Sequence, residues 1–519
     1  MGKECMILEN TDTFLPRSTR HVSFDPTDML PLNKDALKKV DSLRTLYQLK
    51  YPNESFGVIL NRRSLRVLCT KHFHLSSLKH FIHLRYLELH DHDIKTLPDS
   101  IYSLQKLEIL KLKHFSELRC LPEHLTCLGN LRHLVIEDCY SLSRMFPYVG
   151  KLSSLRTLSV YIVELKRGHS LAELNDLNLG GKLSIEGLEN VGNLYEAQEA
   201  NLLGKTCLSE LCLSWSKKGE TETHATSYEQ VLEMLQPHSN LKSLKICDYE
   251  GLRFPSWLGI LSSLVSLEFQ YCKNCVSLSP IGKLPYLKKL LLLHLDEVQY
   301  LDDECDNGSE VMAFPSLEEL SLEWLFNIEK LLKVERGMFP RLSNLTFHDC
   351  PKLELPFLPS VKDLFVVGCN NEILRSISGF CGLNTLYLGA GNGAGKEMTS
   401  FPSGMLRNLS YLKELTVADF PKLKELPNEP FNLALEHLHI LCCAELESLP
   451  EQIWEGLQSL RTMEIAGCKE LRSSPEGIRH LVSLEVLNID DCPALQGQLK
   501  EGTGEDWDKI AHIPKLDIR

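Results

Sequence analysis

Between Leu84 and Leu128 one phrase is written twice in succession, and it limits what this chain can fold into more than any other feature. LRYLELHDHDIKTLPDSIYSLQK is followed directly by LEILKLKHFSELRCLPEHLTCLGN. Leu84, Leu87, Leu89, Ile94, Leu97, Pro98, Ile101 and Leu104 recur as Leu107, Leu110, Leu112, Leu118, Leu121, Pro122, Leu125 and Leu128, so the first leucine steps by 23 residues. In L-x-x-L-x-L the leucines alternate with other residues, so a short strand turns its leucines to one side and the rest to the other. The later apolar positions lie in a return path and point at the same interior. Pro98 suits an irregular or short-helical return, because it lacks an amide hydrogen and fixes its own φ. One such coil cannot bury its apolar side alone. Stacked coils do, and their strands then form one long parallel sheet.

Period and core together are those of a leucine-rich repeat. The predicted fold is therefore an α/β leucine-rich-repeat solenoid, a horseshoe with a parallel β-sheet on its concave face and an irregular or short-helical convex side. Leu43 and Leu65 open degenerate coils, Leu84, Leu107, Leu131 and Leu155 open clean ones, and regularity returns from Leu241 to Leu484. Residues 1–40 lack the repeat and read as an N-terminal cap, with RSTRHVSF (17–24) as an edge strand. The solenoid spans 41–498. It is interrupted by a polar, mobile insertion at about 214–230, preceded by a helix over NLYEAQEANLLGK. Residues 499–519 form a C-terminal cap in which Trp507, Ile510 and Ile513 cover the last coil.

A solenoid grows by adding coils, so 519 residues need no division into several cores. The net charge of −13 argues against nucleic acid as a general partner. No apolar run is long enough to span a membrane, and MGKECMILEN lacks the apolar stretch of a secretory signal. Cys139, Cys272, Cys350, Cys369, Cys443, Cys468 and Cys492 share one slot, three residues after the last strand leucine. They read as small, reduced core residues without a disulfide framework. The C-x-x-C at Cys272 and Cys275 has no second pair at zinc-ribbon spacing.

PDSIYSLQKLEILKL, VLEMLQPHSNLKSLKICDYEGLRFPSWLG, GGKLSIEGLENV and GEDWDKIAHIP resemble the leucine-rich-repeat half of plant intracellular immune receptors, of the coiled-coil, nucleotide-binding class of disease-resistance proteins. The resemblance covers nearly the whole chain. It implies a module that senses a pathogen effector or a guarded host protein and restrains the NB-ARC-type switch domain of such a receptor. It also implies a cytoplasmic or nucleo-cytoplasmic location. Members of that class bind ADP or ATP in the switch domain, yet no G-x-x-x-x-G-K-[ST] occurs here, so no cofactor is assigned to this chain. MGKECMILE resembles the segment following that class's winged helix, so the expectation is a repeat half on its own. The rival expectation is a substrate adaptor of a ubiquitin ligase or another stand-alone interaction scaffold.

No catalytic or metal-binding constellation stands out. Gly389, Gly391, Gly393, Gly395 and Lys396 imitate a phosphate loop, but the spacing is wrong and Glu397 replaces the magnesium-binding hydroxyl, so the stretch reads as a flexible loop. His90 and His92, beside Asp91 and Asp93, offer imidazole and carboxylate groups that suit zinc, but they read rather as surface histidines in a polar turn. The expected functional surface is the concave face, formed by the third, fifth and seventh positions of L-x-x-L-x-L-x. The residues assigned to protein binding are Tyr86, Glu88, His90, Lys111, Lys113, His133, Glu137, Glu319, Glu323, Phe365, Tyr387, His437 and His439. Phe365, Tyr387 and Leu441 are expected to be exposed apolar anchors.

Overall fold

The computed structural model describes residues 5–8, 16–24, 40, 42–48, 64–71, 75–90, 94–215, 227–278, 280–302, 313–332, 339–368, 370–427, 434–451 and 453–519. They form two units, Met1–Leu244 and Lys245–Arg519.

In the first unit eight short strands follow one another in a parallel sheet: Cys5–Leu8, His21–Phe24, Thr45–Gln48, Val67–Lys71, Tyr86–His90, Ile109–Lys113, His133–Glu137 and Thr157–Leu158. His21–Phe24 pairs with Cys5–Leu8 on one side and Thr45–Gln48 on the other. It is therefore an inner strand, where the sequence suggested an edge. The sheet ends at Ser159 because that side chain takes over ladder bonds: its Oγ accepts the Ile136 N–H at 2.7 Å and donates to the Ile136 carbonyl at 3.0 Å. Val160–Ile162, Gly181–Glu186 and Leu208–Ser214 continue in parallel register.

The repeated phrase folds as its pattern requires. Leu84, Leu87, Leu107, Leu110 and Leu112 are fully buried, as are Ile101, Leu104, Leu125 and Leu128 from the return path. At about 1.5–3 kcal/mol per buried aliphatic side chain, this lining is the main stabilising term of each coil. Ile94 is only half-buried, whereas its counterpart Leu118 is fully buried. Pro98 and Pro122 each introduce a short 3₁₀ turn, Asp99–Ser103 and Glu123–Cys127, and their carbonyls accept the Ile101 and Leu125 amides at 3.1 Å. Proline suits this place because a first-turn residue has no use for an N–H.

The NLYEAQEANLLGK helix is shorter than its composition suggests. It runs over Leu194–Glu199, capped by Asn193, whose side chain accepts the Glu196 N–H at 3.1 Å. Lys205 is then buried, donating to the carbonyls of Leu174 and Leu177 at 2.7 and 2.9 Å, and burial lowers its pKa to about 8. The polar insertion lies outside the described residues at 216–226; Tyr228–Met234 after it is helical.

The second unit repeats the scheme in a parallel run of strands from Ser266–Gln270 to Lys515–Ile518. Five-residue strands such as Glu319–Glu323 and His437–Leu441 bury their second and fourth positions only. The residue after many strands adopts left-handed backbone, as at Asp248, Asp349, Asp419 and Asp491, and Gly368 and Gly467 occupy the same slot. There the chain turns, and the amide of that residue bonds the last strand carbonyl of the next coil, as Asp349 does to Val367 at 2.8 Å. Aspartate and glycine tolerate this conformation best.

The interior cysteine slot holds. Cys272, Cys350, Cys443, Cys468 and Cys492 are buried free thiols, as is Cys275. Cys139 is half-buried, and Cys369 lies outside the described residues. The glycine-rich stretch expected to be a flexible loop is anchored. Buried Asp349 accepts the Asn392 N–H with both oxygens, at 3.1 and 3.3 Å. A Cβ on Gly391, at φ +62°, would lie 2.4 Å from the Gly368 nitrogen and 2.6 Å from Asp349 Oδ1. Its glycines therefore serve close packing of one coil on the next.

The end of the chain is fastened by a polar knot. Asp506 accepts the Ser474 N–H at 2.8 Å, and Lys509 donates to Asp506 at 2.9 Å, to the Ser474 carbonyl at 2.9 Å and to Glu476 at 3.0 Å. Ile510 and Ile513 are buried, Trp507 is half-buried, and Lys515–Ile518 adds a last strand beside Val486–Asp490. Among the described residues no helix is long and apolar enough to cross a membrane.

Candidate functional site

Parallel register decides which outward side chains meet. In the first unit Cys69, Glu88, Lys111 and Val135 occupy one row, while Lys71, His90, Lys113 and Glu137 occupy the next. Tyr86 donates its hydroxyl hydrogen to the Glu88 carboxylate. The second Glu88 oxygen lies 3.0 Å from His90 Nε2 and 3.7 Å from Lys113 Nζ. Lys113 is also 3.0 Å from Glu137, and Lys111 Nζ sits 5.6 Å from the centre of the Tyr86 ring.

Six of the sequence-assigned residues thus form one connected patch, with Glu88 at its centre and only 8% exposed. Burial would raise the Glu88 carboxyl, but the hydrogen bonds from Tyr86 and His90 and the Lys113 ammonium outweigh it and hold it below the usual range. Burial lowers the His90 imidazole. His133 Nδ1 lies instead 3.0 Å from Thr157 Oγ1.

Cys69 was not singled out in the sequence. It follows Leu68 in an imperfect coil and takes the outward position opposite Glu88, yet it is completely buried beneath its neighbours. Burial first, and Glu88 second, push its thiol up to about 12. Aligning the degenerate coil at Leu65 on its successor would have found it. His92, Asp91 and Asp93 lie outside the described residues; His90 meets Glu88, two residues back on its own strand.

A second feature legible only after aligning coils is the arginine before successive strands: Arg20, Arg44, Arg66, Arg85, Arg132 and Arg156. In the one intervening coil Glu108 takes the slot and pairs with Arg85 at 3.0 Å.

In the second unit the same outward slots carry different chemistry. Phe365 and Tyr387 are register partners, stacked with ring centres 6.0 Å apart. Phe365 is 38% exposed, but Tyr387 and Leu441 are only half-buried, because outward side chains lean on one another along the ladder. His439 Nδ1 lies 2.8 Å from Glu464, Glu319 pairs with Lys289 at 2.7 Å, and Glu323 accepts from Ser321 at 2.9 Å. His437 lies on the same strand as His439, between Glu414 and Thr462 of its neighbours.

The slot just beyond the strand supplies a row the sequence reading missed. Tyr271, His294 and Trp324 occupy it at φ +56°, +54° and +53°. Their rings stack in order at 5.0 and 5.2 Å, and His348 meets Trp324 edge-on at 4.2 Å. Left-handed backbone costs a side-chain-bearing residue about 1–2 kcal/mol, so bulky rings are costly where aspartate or glycine would suffice.

Residues 171–295 match a family model described as R13L1/DRL21 LRRs. The chain is 41% identical over 475 residues to the putative disease resistance protein RGA4 of Solanum bulbocastanum, covering 85% of this chain and 47% of that protein. It is 38% identical to disease resistance protein RGA2 of the same species, covering 86% and 46%. Similarity extends to the putative disease resistance RPP13-like protein 1 of Arabidopsis thaliana, at 31% identity with 86% and 46% covered. The chain spans about half the length of these relatives. By its repeat, its parallel ladder of coils and its relatives, this chain is a leucine-rich-repeat region of the plant NLR disease-resistance type.

Proposed function

We propose that this chain is a non-enzymatic protein-recognition module of plant innate immunity, working through the outward face of its sheets. The observation that carries this is similarity over 85% of the chain to proteins named for disease resistance. The faces support it. In each unit a regular ladder presents side chains of changing charge and aromaticity at fixed spacing, about 4.8 Å from strand to strand. Such an array reads the surface of a folded partner, with aromatic and cationic groups as anchors.

The partners proposed are a pathogen effector or a guarded host protein, and the NB-ARC-type switch domain of an NLR. Holding the switch domain restrains it. A ligand that binds these coils better than the switch domain does shifts the population towards the released state.

Co-precipitation with the NB-ARC-type switch domain of an NLR tests this. Lys111→Glu with Lys113→Glu should abolish capture. Lys106→Glu with Glu123→Lys, both exposed in the return path, should leave it intact. Equal loss from both pairs would rule out the sheet face as the contact.

A further inference from the structure

Cys69 and Glu88 face one another on adjacent parallel strands, and His90 stands two residues beyond Glu88 on the same side. Two donors at i and i+2 of one strand, with a third opposite on its neighbour, converge over a single patch of sheet. Here the thiol sulfur, a carboxylate oxygen and an imidazole nitrogen all lie within 4.8 Å of one another. We propose that Cys69, Glu88 and His90 bind a zinc ion, with one coordination position left open at the outward face of the first unit.

The donor set selects the metal. One sulfur, one nitrogen and one oxygen suit a borderline-soft cation with tetrahedral habits, and three protein ligands leave a fourth place for water or a partner's side chain. Bond lengths of about 2.0–2.3 Å place one sulfur, one nitrogen and one oxygen ligand about 3.3–3.5 Å apart in a tetrahedron, so a contraction of about 1.5 Å at most completes the site. The Tyr86 hydroxyl, bonded to Glu88, orients that carboxylate from behind, as outer groups do in metal centres. Lys113 is the opposing charge, 3.7 Å from Glu88. It already pairs with Glu137 at 3.0 Å and retains that partner when the cation takes Glu88. Burial of Cys69 and Glu88 excludes the water that would compete for the ion.

Cobalt(II) titration of the metal-stripped full chain tests the site. Background binding is reduced by Cys→Ser substitutions at the exposed Cys5, Cys127, Cys207, Cys381 and Cys442. One equivalent should bind with a near-ultraviolet thiolate-to-cobalt band, and one equivalent of zinc should displace it. Cys69→Ser should lose the band, and His90→Ala should weaken binding by about 100-fold or more, beyond the usual effect of an outer partner. Far-ultraviolet circular dichroism confirms that each variant is folded. Lys113→Met should bind severalfold more tightly, a gain that misfolding cannot produce. No saturable binding in the parent, a band that survives Cys69→Ser, or unchanged or weaker binding in Lys113→Met would each overturn the proposal.

Discussion

Around Glu88 the outward slots hold a carboxylate, an imidazole, a phenol and two ammonium groups that satisfy one another. Around Trp324 the slot just past the strand holds rings that stack, and at Phe365 and Tyr387 so do the outward slots themselves. The backbone is the same in both regions: five-residue parallel strands that bury their second and fourth positions, although around Glu88 the third positions, Cys69 and Glu88, are buried as well. The leucines fix the scaffold, and the remaining positions vary without disturbing it. The two surfaces also differ in what holds them. The Glu88 patch depends on protonation states, whereas the Trp324 row trades backbone strain for ring contact.

The largest expected effect tests whether the scaffold is equivalent in the two regions. Leu110→Ala and Leu322→Ala, both fully buried, should each cost about 2–5 kcal/mol, read as lost hydrogen-exchange protection in the surrounding coils. A cost near zero in one unit alone would break the equivalence. Next comes Glu88→Ala, which removes the acceptor for Tyr86 and His90 and should cost about 1.5–3 kcal/mol locally.

Acid should act in the same direction on this patch. The His90 pKa is depressed, so the unfolded chain binds more protons just below pH 6.5, and stability falls as pH drops through that window. The Glu88 pKa is also depressed, so its contribution is present above 4.5 and lost as pH falls through the lower folded value. Protection over Tyr86–His90 should therefore decline on acidification, and Glu88→Gln should remove the part of the decline below pH 4.5 while leaving the part due to His90. A flat profile in the parent would remove the electrostatic account.

Trp324→Gly should change stability by no more than about 1 kcal/mol. Relief of left-handed strain, about 1–2 kcal/mol, offsets stacking worth about 0.5–1.5 kcal/mol. Equilibrium unfolding in urea measures this, and a loss above about 3 kcal/mol would show that the ring is core rather than surface. Smallest is Lys111→Ala, whose partly exposed contact with Tyr86 is worth about 0.5–1 kcal/mol.

Much of the architecture was legible in the chain. The doubled phrase at Leu84 and Leu107 specified strand, return path and parallel stacking, because alternation of leucines has a direct geometric reading. The cysteine slot followed from the same alignment. Sites were less legible. Glu88 looks like any exposed acid in ELHDHD, and Cys69 sits in a degenerate coil, where only superposition on the next coil gives it an outward slot. The glycine-rich stretch at Gly389 suggested freedom, yet Asp349, some forty residues earlier, holds it in place.

Sequence alone determined the repeat, the inward leucines and the set of positions facing outward, since those depend on local alternation and on the inability of one coil to bury its own side. Register between neighbouring strands decided the rest: that Cys69 meets Glu88, that Lys113 bridges Glu88 and Glu137, and that Tyr271, His294 and Trp324 stack in a row. These contacts join residues about twenty to thirty positions apart, with coil lengths that vary. No local pattern encodes them, because they exist only once the coils are stacked.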